Sequence, residues 1–395
     1  MRHFALAALT ALAPLPALAE LDLSTELADT GIAATLGRLH ALPVPDADAQ
    51  FAIGGLEFLA AVERSYQLAA TYGKGSLLLS PFNGPGRFDT DAPSKPFSPD
   101  IVEQSLDDTL AAMARARAAL EAIPPGAEPA LIVDFGALWF DLDGDGQRGA
   151  AEGAADLLGP ALVGWRWRDR PAEAALPVIR FDAADRHWLR AYTQLISGSA
   201  ELILAFDPGT AVELILEARA AMNLAEFDAY ALYIGDGDFA DMIAILDASL
   251  RHQPDASRTR AAKAHWLGMI ADNRQFWAEV AQETDNDREW IPNDSQQSAL
   301  GIDFPQGLGA QWGAVLDDAE ALLTGTRTIP HWRARFGISF AEYLENPAPI
   351  DIVGWMQGWA ALAYRRDAPP IDTRSWNAFS RLLQGRTGLM MLVLN

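Results

Sequence analysis

The strongest constraint on this chain is a spacing. Phe51, Leu56, Leu59, Val62, Tyr66 and Leu68 fall three to five residues apart, or two at the end, which places them along one face of a helix opened by Asp46–Gln50. The same periodicity recurs along the chain. Leu27, Ile32, Leu36 and Leu39 predict a helix over about 21–42, stopped by Pro43-Val44-Pro45. Ser98 or Asp100 caps a helix from about Ile101 to Ile123, closed by Pro124-Pro125-Gly126. Asp182 or Asp185 starts another that runs to Leu204 and stops at Asp207-Pro208-Gly209, with Ala211–Ala221 continuing in helix. Later helices are predicted over 242–250, 259–280, 311–323, 340–344, 350–364 and 375–383. Strand-like alternation is sparse and no repeat of fixed length appears. The expected fold is mainly α with little strand: a multi-helix globular domain over 20–395. It also divides into helical halves, 20–129 and 181–395, joined by the segment 130–180.

The first residues read as an export signal. Met1-Arg2-His3 is a short basic start, Phe4–Leu18 an apolar run, and Ala17-Leu18-Ala19 before Glu20 a small-x-small cleavage site. Pro14, Pro16 and the shortness of the run argue against a membrane span, which needs about 20 apolar residues. The expectation is a signal peptide over 1–19, cleaved after Ala19, and a periplasmic or secreted mature chain with no integral membrane segment. The 395 residues contain no cysteine, so neither a disulfide nor a lipid-bearing cysteine is available; a large domain with a full core does not need one.

Acidic side chains number 53 against 30 basic ones, for a net charge of −23. That excess disfavours nucleic acid, whose affinity rests on neutralising phosphates, and anionic membrane surfaces. It suits cations or neutral ligands, although solubility alone accounts for such a charge.

One stretch carries specific chemistry: Asp141-Leu142-Asp143-Gly144-Asp145-Gly146-Gln147-Arg148-Gly149-Ala150-Ala151-Glu152. It resembles the twelve-residue calcium loop of the EF-hand family. Ca²⁺ takes six to eight hard oxygen ligands at about 2.3–2.6 Å. The resemblance implies side-chain oxygens from Asp141, Asp143 and Asp145, the backbone carbonyl of Gln147, and two oxygens from Glu152; Gly146 occupies the sixth place, where the chain turns sharply. Gly149 in the ninth place leaves that ligand to a water. Arg148 departs from the family, since an aliphatic residue there normally pairs with a second hand. The preceding run Ala130–Phe140 reads as an extended segment with a short helix rather than a full entering helix, and Gly153–Leu158 as the exiting helix, closed at Gly159-Pro160. A solitary loop of this kind suits a structural Ca²⁺ clip better than a cooperative switch.

No reaction is declared elsewhere. Leu77–Pro99, rich in proline and glycine, is an irregular connection in which Asn83 and Arg87 are candidate ligand contacts. Glu57 and Glu63 read as solvated or ion-paired, Glu63 with Arg64. Val163–Arg180 reads as a surface connection, and Asp285–Gln297 as a polar loop. Gly235–Asp241 lacks the calcium register and reads as a turn. Asp182 and Asp185 share a helical face, which a helix start also prefers. His40, His187, His252, His265 and His331 show no metal-ligand spacing. Trp165, Trp167, Trp290, Trp312, Trp332, Trp355 and Trp359 lie near loops and helix ends, as core anchors or as stacking platforms for sugars. Two functions are expected from these features. The first is an exported helical protein with a structural Ca²⁺ site, acting in binding or envelope-associated interaction with a small-molecule, glycan or protein partner. The alternative is a carbohydrate-active enzyme with an Asp/Glu general acid/base pair in a Trp-lined groove.

Overall fold

The computed structural model describes residues 21–72, 95, 98–163, 176–222 and 236–383. The proposed leader, Asn83, Arg87, Trp165, Trp167 and the residues from Tyr230 to Gly235 lie outside the described residues. The described residues form twelve α-helices and six short strands, a mainly α fold.

In chain order these are β1 (Leu21–Asp22), α1 (Ser24–His40), α2 (Ala47–Tyr72), α3 (Asp100–Glu121), β2 (Leu131–Asp134), α4 (Ala154–Val163), β3 (Val178–Phe181), α5 (Asp185–Ala205), α6 (Pro208–Ala221), α7 (Asp236–Arg251), α8 (Ala256–Val280) and α9 (Leu308–Thr324). There follow β4 (Ile329–Pro330), β5 (Gly337–Ile338), α10 (Phe340–Glu345), α11 (Ile352–Gln357), a 3₁₀ turn (Ala360–Tyr364), β6 (Arg365–Arg366) and α12 (Arg374–Leu382).

The long helices form a packed series in which α2 lies against α3, α3 against α5, and α5 against α8. The apolar stripe of α2 explains its place: Phe51, Leu56, Val62 and Tyr66 are all buried, each worth about 1.5–3 kcal/mol of transfer free energy. The packing of α5 on α8 depends on Gly198. A Cβ there would sit 2.6 Å from the Trp266 ring and 3.1 Å from the Ala262 carbonyl. Polar side chains cross the helix pairs as well. Arg115 Nε donates to Glu57 Oε2 at 2.9 Å, and Arg117 Nη1 donates to Ser197 Oγ at 2.8 Å and to the Thr193 carbonyl at 3.1 Å.

A small sheet joins the N-terminal helices to the middle of the chain. β1 runs parallel to β2 and β2 antiparallel to β3, with Leu21 opposite Leu131 and Leu131 opposite Phe181. A second sheet, β4–β5–β6, is antiparallel and holds the C-terminal segments together.

Several expectations are corrected. α1 is kinked at Gly31 (φ +74°), where a Cβ would meet the Trp139 ring at 2.8 Å. The kink frees the Leu27 carbonyl, which accepts a 2.8 Å hydrogen bond from Trp139 Nε1. α4 does not end at Gly159-Pro160 but continues to Val163. The segment 163–180 is not wholly a connection, because β3 occupies its end and pairs with β2. Asp236–Asp241 is the first part of α7 and not a turn. The stretch 350–364 is not one helix: α11 stops at Gly358, whose φ of +96° reverses the chain into the 3₁₀ turn.

Candidate metal centre

The loop 141–152 is entered from a strand. β2 ends in a turn closed by Asp134, whose carbonyl accepts the Ala137 and Leu138 N–H groups, and no short helix forms before the loop. Leu138, Trp139, Phe140 and Leu142 follow, all buried, so the approach to the loop is fixed by the core. The loop's two ends are tied to each other. Trp139 bridges Gly153, Phe140 N–H donates to the Glu152 carbonyl at 2.9 Å, and Ala154 N–H donates to the Leu138 carbonyl at 3.0 Å. The arrangement is therefore strand, loop, helix.

Within the loop, alternate side chains turn inward. The Asp141 carboxylate accepts Gly144 N–H at 2.8 Å on Oδ1 and Gly146 N–H at 3.0 Å on Oδ2. Asp143 Oδ1 accepts Asp145 N–H at 3.2 Å, and Asp145 Oδ1 accepts Gln147 N–H at 2.7 Å. Gly144 (φ +78°) and Gly146 (φ +73°) both adopt the left-handed conformation that lets the chain coil this tightly. Carboxylate oxygens of Asp141, Asp143 and Asp145 lie within 4.8 Å of one another. Two ligands of one Ca²⁺ are at most about 5 Å apart, so this trio fits a hard cation in both chemistry and span.

Glu152 is placed differently. It is buried, and its carboxylate bridges the loop: Oε1 accepts Leu142 N–H at 2.7 Å and Oε2 accepts Gly149 N–H at 2.6 Å. It thus holds the second and ninth residues, with further lone pairs on each oxygen. Gln147 is exposed, with its N–H on Asp145. Arg148 folds back, donating from Nη2 to the Gly136 carbonyl at 3.0 Å.

Two residues on α2 were not picked out from the sequence as part of this centre. Glu63 does not pair with Arg64; it is buried, and its Oε2 accepts the Asp141 N–H at 2.9 Å. Burial, with the Asp141 and Glu152 charges adding to it, pushes its carboxyl up to about 7. One helical turn on, Gln67 Nε2 donates to the Asp141 carbonyl at 2.8 Å. Asp141 is thus clasped on both sides of its backbone.

Comparison with protein-family models, with curated proteins and with solved structures gives no match to this chain.

A second group of carboxylates is assembled by the fold alone. Oxygens of Asp182, Glu283 and Glu289 lie within 4.8 Å of one another. Asp182 precedes α5, accepts Ala184 N–H at 3.0 Å on Oδ1 and faces Arg180 Nη1 at 3.3 Å on Oδ2. Its own N–H donates to Asp185 Oδ2 at 3.1 Å. Glu283 Oε2 accepts from Gln296 Nε2 at 3.1 Å, and Glu289 Oε1 accepts Asp287 N–H at 2.8 Å. Burial raises Asp182, Glu289 and, most strongly, Asp185; burial together with the neighbouring Asp182 charge raises Glu283 to about 7. The 285–297 loop reaches inward here: Glu289 and Trp290 are buried, and Arg180 N–H donates to the Arg288 carbonyl at 3.0 Å.

The tryptophans divide by region. Trp290 and Trp312 are buried, and Trp355 stacks on Tyr364 at 5.6 Å. Trp332 and Trp359 are exposed on the C-terminal segments, where Arg333 lies over the Trp332 ring at 5.5 Å. His187 is the one histidine with two carboxylate neighbours within 4.0 Å among the described residues, Glu279 at 3.4 Å and Asp272 at 4.0 Å.

Proposed function

We propose that this chain is an exported helical binding protein in which the loop 141–152 holds one Ca²⁺ as a structural clip. The observation that carries this reading is the inward trio of Asp141, Asp143 and Asp145, in the alternating register that calcium requires, around a positive-φ Gly146. A bound Ca²⁺ supplies the charge that offsets repulsion among these carboxylates. The chain's own residues do the rest. Asp141, Asp143 and Asp145 provide oxygens, Glu152 pins the loop's second and ninth residues, and Glu63 and Gln67 anchor Asp141 to α2. The loop's ends are continuous with β2 and α4, so the clip would stiffen the joint between the N-terminal helices and the rest of the chain.

Calorimetry with Ca²⁺ tests the reading. Wild-type protein is expected to bind one equivalent with a Kd of about 10⁻⁴–10⁻³ M, the range of exported modules. Asp141→Ala and Glu152→Ala should each weaken it severely; unchanged affinity in both refutes the clip.

A second reading attaches to a surface cleft of about 600 Å³ lined by Trp277, Glu283, Asn293 and Asp294. A carboxyl held near 7 beside ionisable neighbours is the requirement for a general acid, which favours glycan hydrolysis there. Release of reducing ends from soluble polysaccharides, abolished by Glu283→Gln, is its test; no release from any substrate in a broad panel removes it.

A further inference from the structure

Large apolar side chains gather on one outer face of the C-terminal segments. In α11, Gly354 is buried and Trp355 packs on Tyr343 and Tyr364, so Ile352, Val353 and Met356 face outward. Val353 is 66% and Met356 60% exposed. The 3₁₀ turn packs on α11 and continues the face with Leu362 and with Trp359, 61% exposed. The Trp359 ring lies over Gly354, where a Cβ would sit 2.5 Å from it. Trp332, 77% exposed, is held to the same face through its neighbours. His331 stacks between Trp332 and Phe336, at 6.3 and 6.4 Å. Arg333 N–H donates to His331 Nδ1 at 3.2 Å, so Nε2 carries the proton that meets the Trp355 carbonyl at 2.9 Å. Scattered singly, such side chains need no explanation; gathered and rimmed by charge, they mark an interaction site.

The rim is cationic. Arg333, Arg335, Arg365 and Arg366 are exposed, and none has a carboxylate within 4.0 Å among the described residues. Arg333 lies over the Trp332 ring and donates to the Gln357 side chain at the end of α11; Arg365 lies over the Phe336 ring at 5.8 Å. At the border, Arg327 and Arg374 are paired, with Asp318 and Asp372. Most carboxylates of the same segments are engaged. Glu345 pairs with Lys263 at 2.9 Å, Asp351 caps α11 by accepting Gly354 N–H, and Glu342 Oε1 accepts from Asn346 Nδ2 at 2.7 Å. Asp367, exposed next to Arg366 in the chain, offsets one of the four arginines. A positive excess therefore borders the apolar face of a chain whose net charge is −23.

We propose that this face docks the protein on an anionic lipid bilayer, with Trp332, Val353, Met356 and Trp359 in the headgroup region and the four unpaired arginines on lipid phosphates. Charge and shape together choose this occupant. A second copy docking by the same face would set arginines against arginines. Sugar and nucleic-acid polymers offer rings to stack on and groups to hydrogen-bond, and nothing that matches Ile352, Val353, Met356 and Leu362. A bilayer surface matches both parts: phosphates meet the arginines, the acyl boundary takes the aliphatic side chains, and tryptophan favours the level between. The contact is peripheral, since no helix among the described residues is long and apolar enough to cross a membrane. The overall negative charge then orients the molecule, because only this face is attracted. This gives the binding function proposed above its partner class; it rests on that reading for its setting and on none of the calcium ligands for its geometry.

Vesicle co-sedimentation is the test, with phosphatidylglycerol-rich vesicles, pure phosphatidylcholine vesicles, and heparin as a polyanion without acyl chains. Wild-type protein is expected to bind the phosphatidylglycerol vesicles, more weakly as salt is raised, and to leave phosphatidylcholine vesicles in solution. Arg365→Gln with Arg366→Gln should weaken binding about ten- to thirtyfold, and Val353→Ser with Met356→Ser at least about tenfold. All four positions are exposed, so both double variants should keep the wild-type Tm. Brominated lipids should quench tryptophan fluorescence, and Trp332→Phe should bind as before with part of that quenching gone. No vesicle binding overturns the proposal, as does equal binding to phosphatidylcholine, unchanged binding by both double variants, or heparin bound tighter than vesicles. A dimer that Val353→Ser with Met356→Ser abolishes, without vesicle binding, overturns it in favour of a second copy. Each titration is run with Ca²⁺ and with a chelator, since Ca²⁺ can bridge lipid phosphates to carboxylates. Binding seen only with Ca²⁺ and unchanged in the arginine variant overturns the docking face. Vesicle binding by a protein that takes up no Ca²⁺ removes the clip and leaves the docking face. Ca²⁺ uptake without vesicle binding does the reverse.

Discussion

The two carboxylate groups of this protein are built in opposite ways. Asp141, Asp143 and Asp145 come from five consecutive residues and are drawn together by a loop whose own N–H groups they accept. Asp182, Glu283 and Glu289 come from segments about a hundred residues apart and are brought together by the packing of α5 against α8. The local group lies toward solvent, where high dielectric weakens repulsion among like charges. The assembled group is part-buried, and the cost of charging it shows as raised carboxyl groups. Similar spans of oxygen atoms therefore have different chemistry: one set suits a cation, the other is pushed toward its protonated form.

The largest expected effect breaks the local group. Asp141→Ala removes one proposed ligand residue and the acceptor of two loop N–H groups. Ca²⁺ affinity should fall at least about 100-fold, or about 2.7 kcal/mol, by calorimetry. Next is removal of the ion. At a hundredfold excess of Ca²⁺ over Kd, wild type should be more stable than in chelator by about 2.7 kcal/mol in urea titrations, and Asp141→Ala should lose that difference.

The assembled group should answer to pH instead. The Glu283 carboxyl stands at about 7 in the fold against an ordinary 4.5, so the folded state binds the proton more tightly. Stability is then greatest below about pH 4.5 for this group and falls as pH rises through about 7, by about 1–2 kcal/mol after discounting for solvent screening. Denaturant midpoints between pH 5 and 8 measure it, and Glu283→Gln should flatten the slope. A slope unchanged in Glu283→Gln would break the comparison. The smallest effect is expected of Asp145→Asn, which keeps an oxygen at an exposed position. A loss of less than about 1 kcal/mol in Ca²⁺ affinity sharpens the view that charge and oxygen count are separable there.

The same contrast governs what could be read in advance. Helices α2, α3 and α8 follow from apolar spacing to within about three residues, because each buries one continuous face. The inward turn of Asp141, Asp143 and Asp145 was legible since its pattern is written in adjacent residues. What the sequence hid is what distant residues impose. Nothing near Gly31 announces that Trp139 will press against α1 there. Nothing near Glu63 announces that its acceptor will be needed by Asp141, 78 positions away. The Asp182–Glu283–Glu289 group exists only once α5 and α8 have met. Glycines misled in both directions: Gly358 divides a stretch that reads as one helix, while Gly159 leaves α4 unbroken.

The pairing of β1 with β2 has a kinetic consequence. Leu21 sits beside Leu131 in parallel register, 110 positions along the chain. Closing so long a span yields few contacts until both partners are already placed, so such pairings slow folding. The α2–α3 and α5–α8 pairs can assemble over shorter separations, and the seam that carries Trp139 into the α1 kink is expected to close after them. Stopped-flow refolding should show early recovery of helical ellipticity and a later phase in tryptophan fluorescence that Trp139→Phe diminishes. The order of assembly would then run from the helices inward to the joint, with the loop 141–152 among the last parts to take shape.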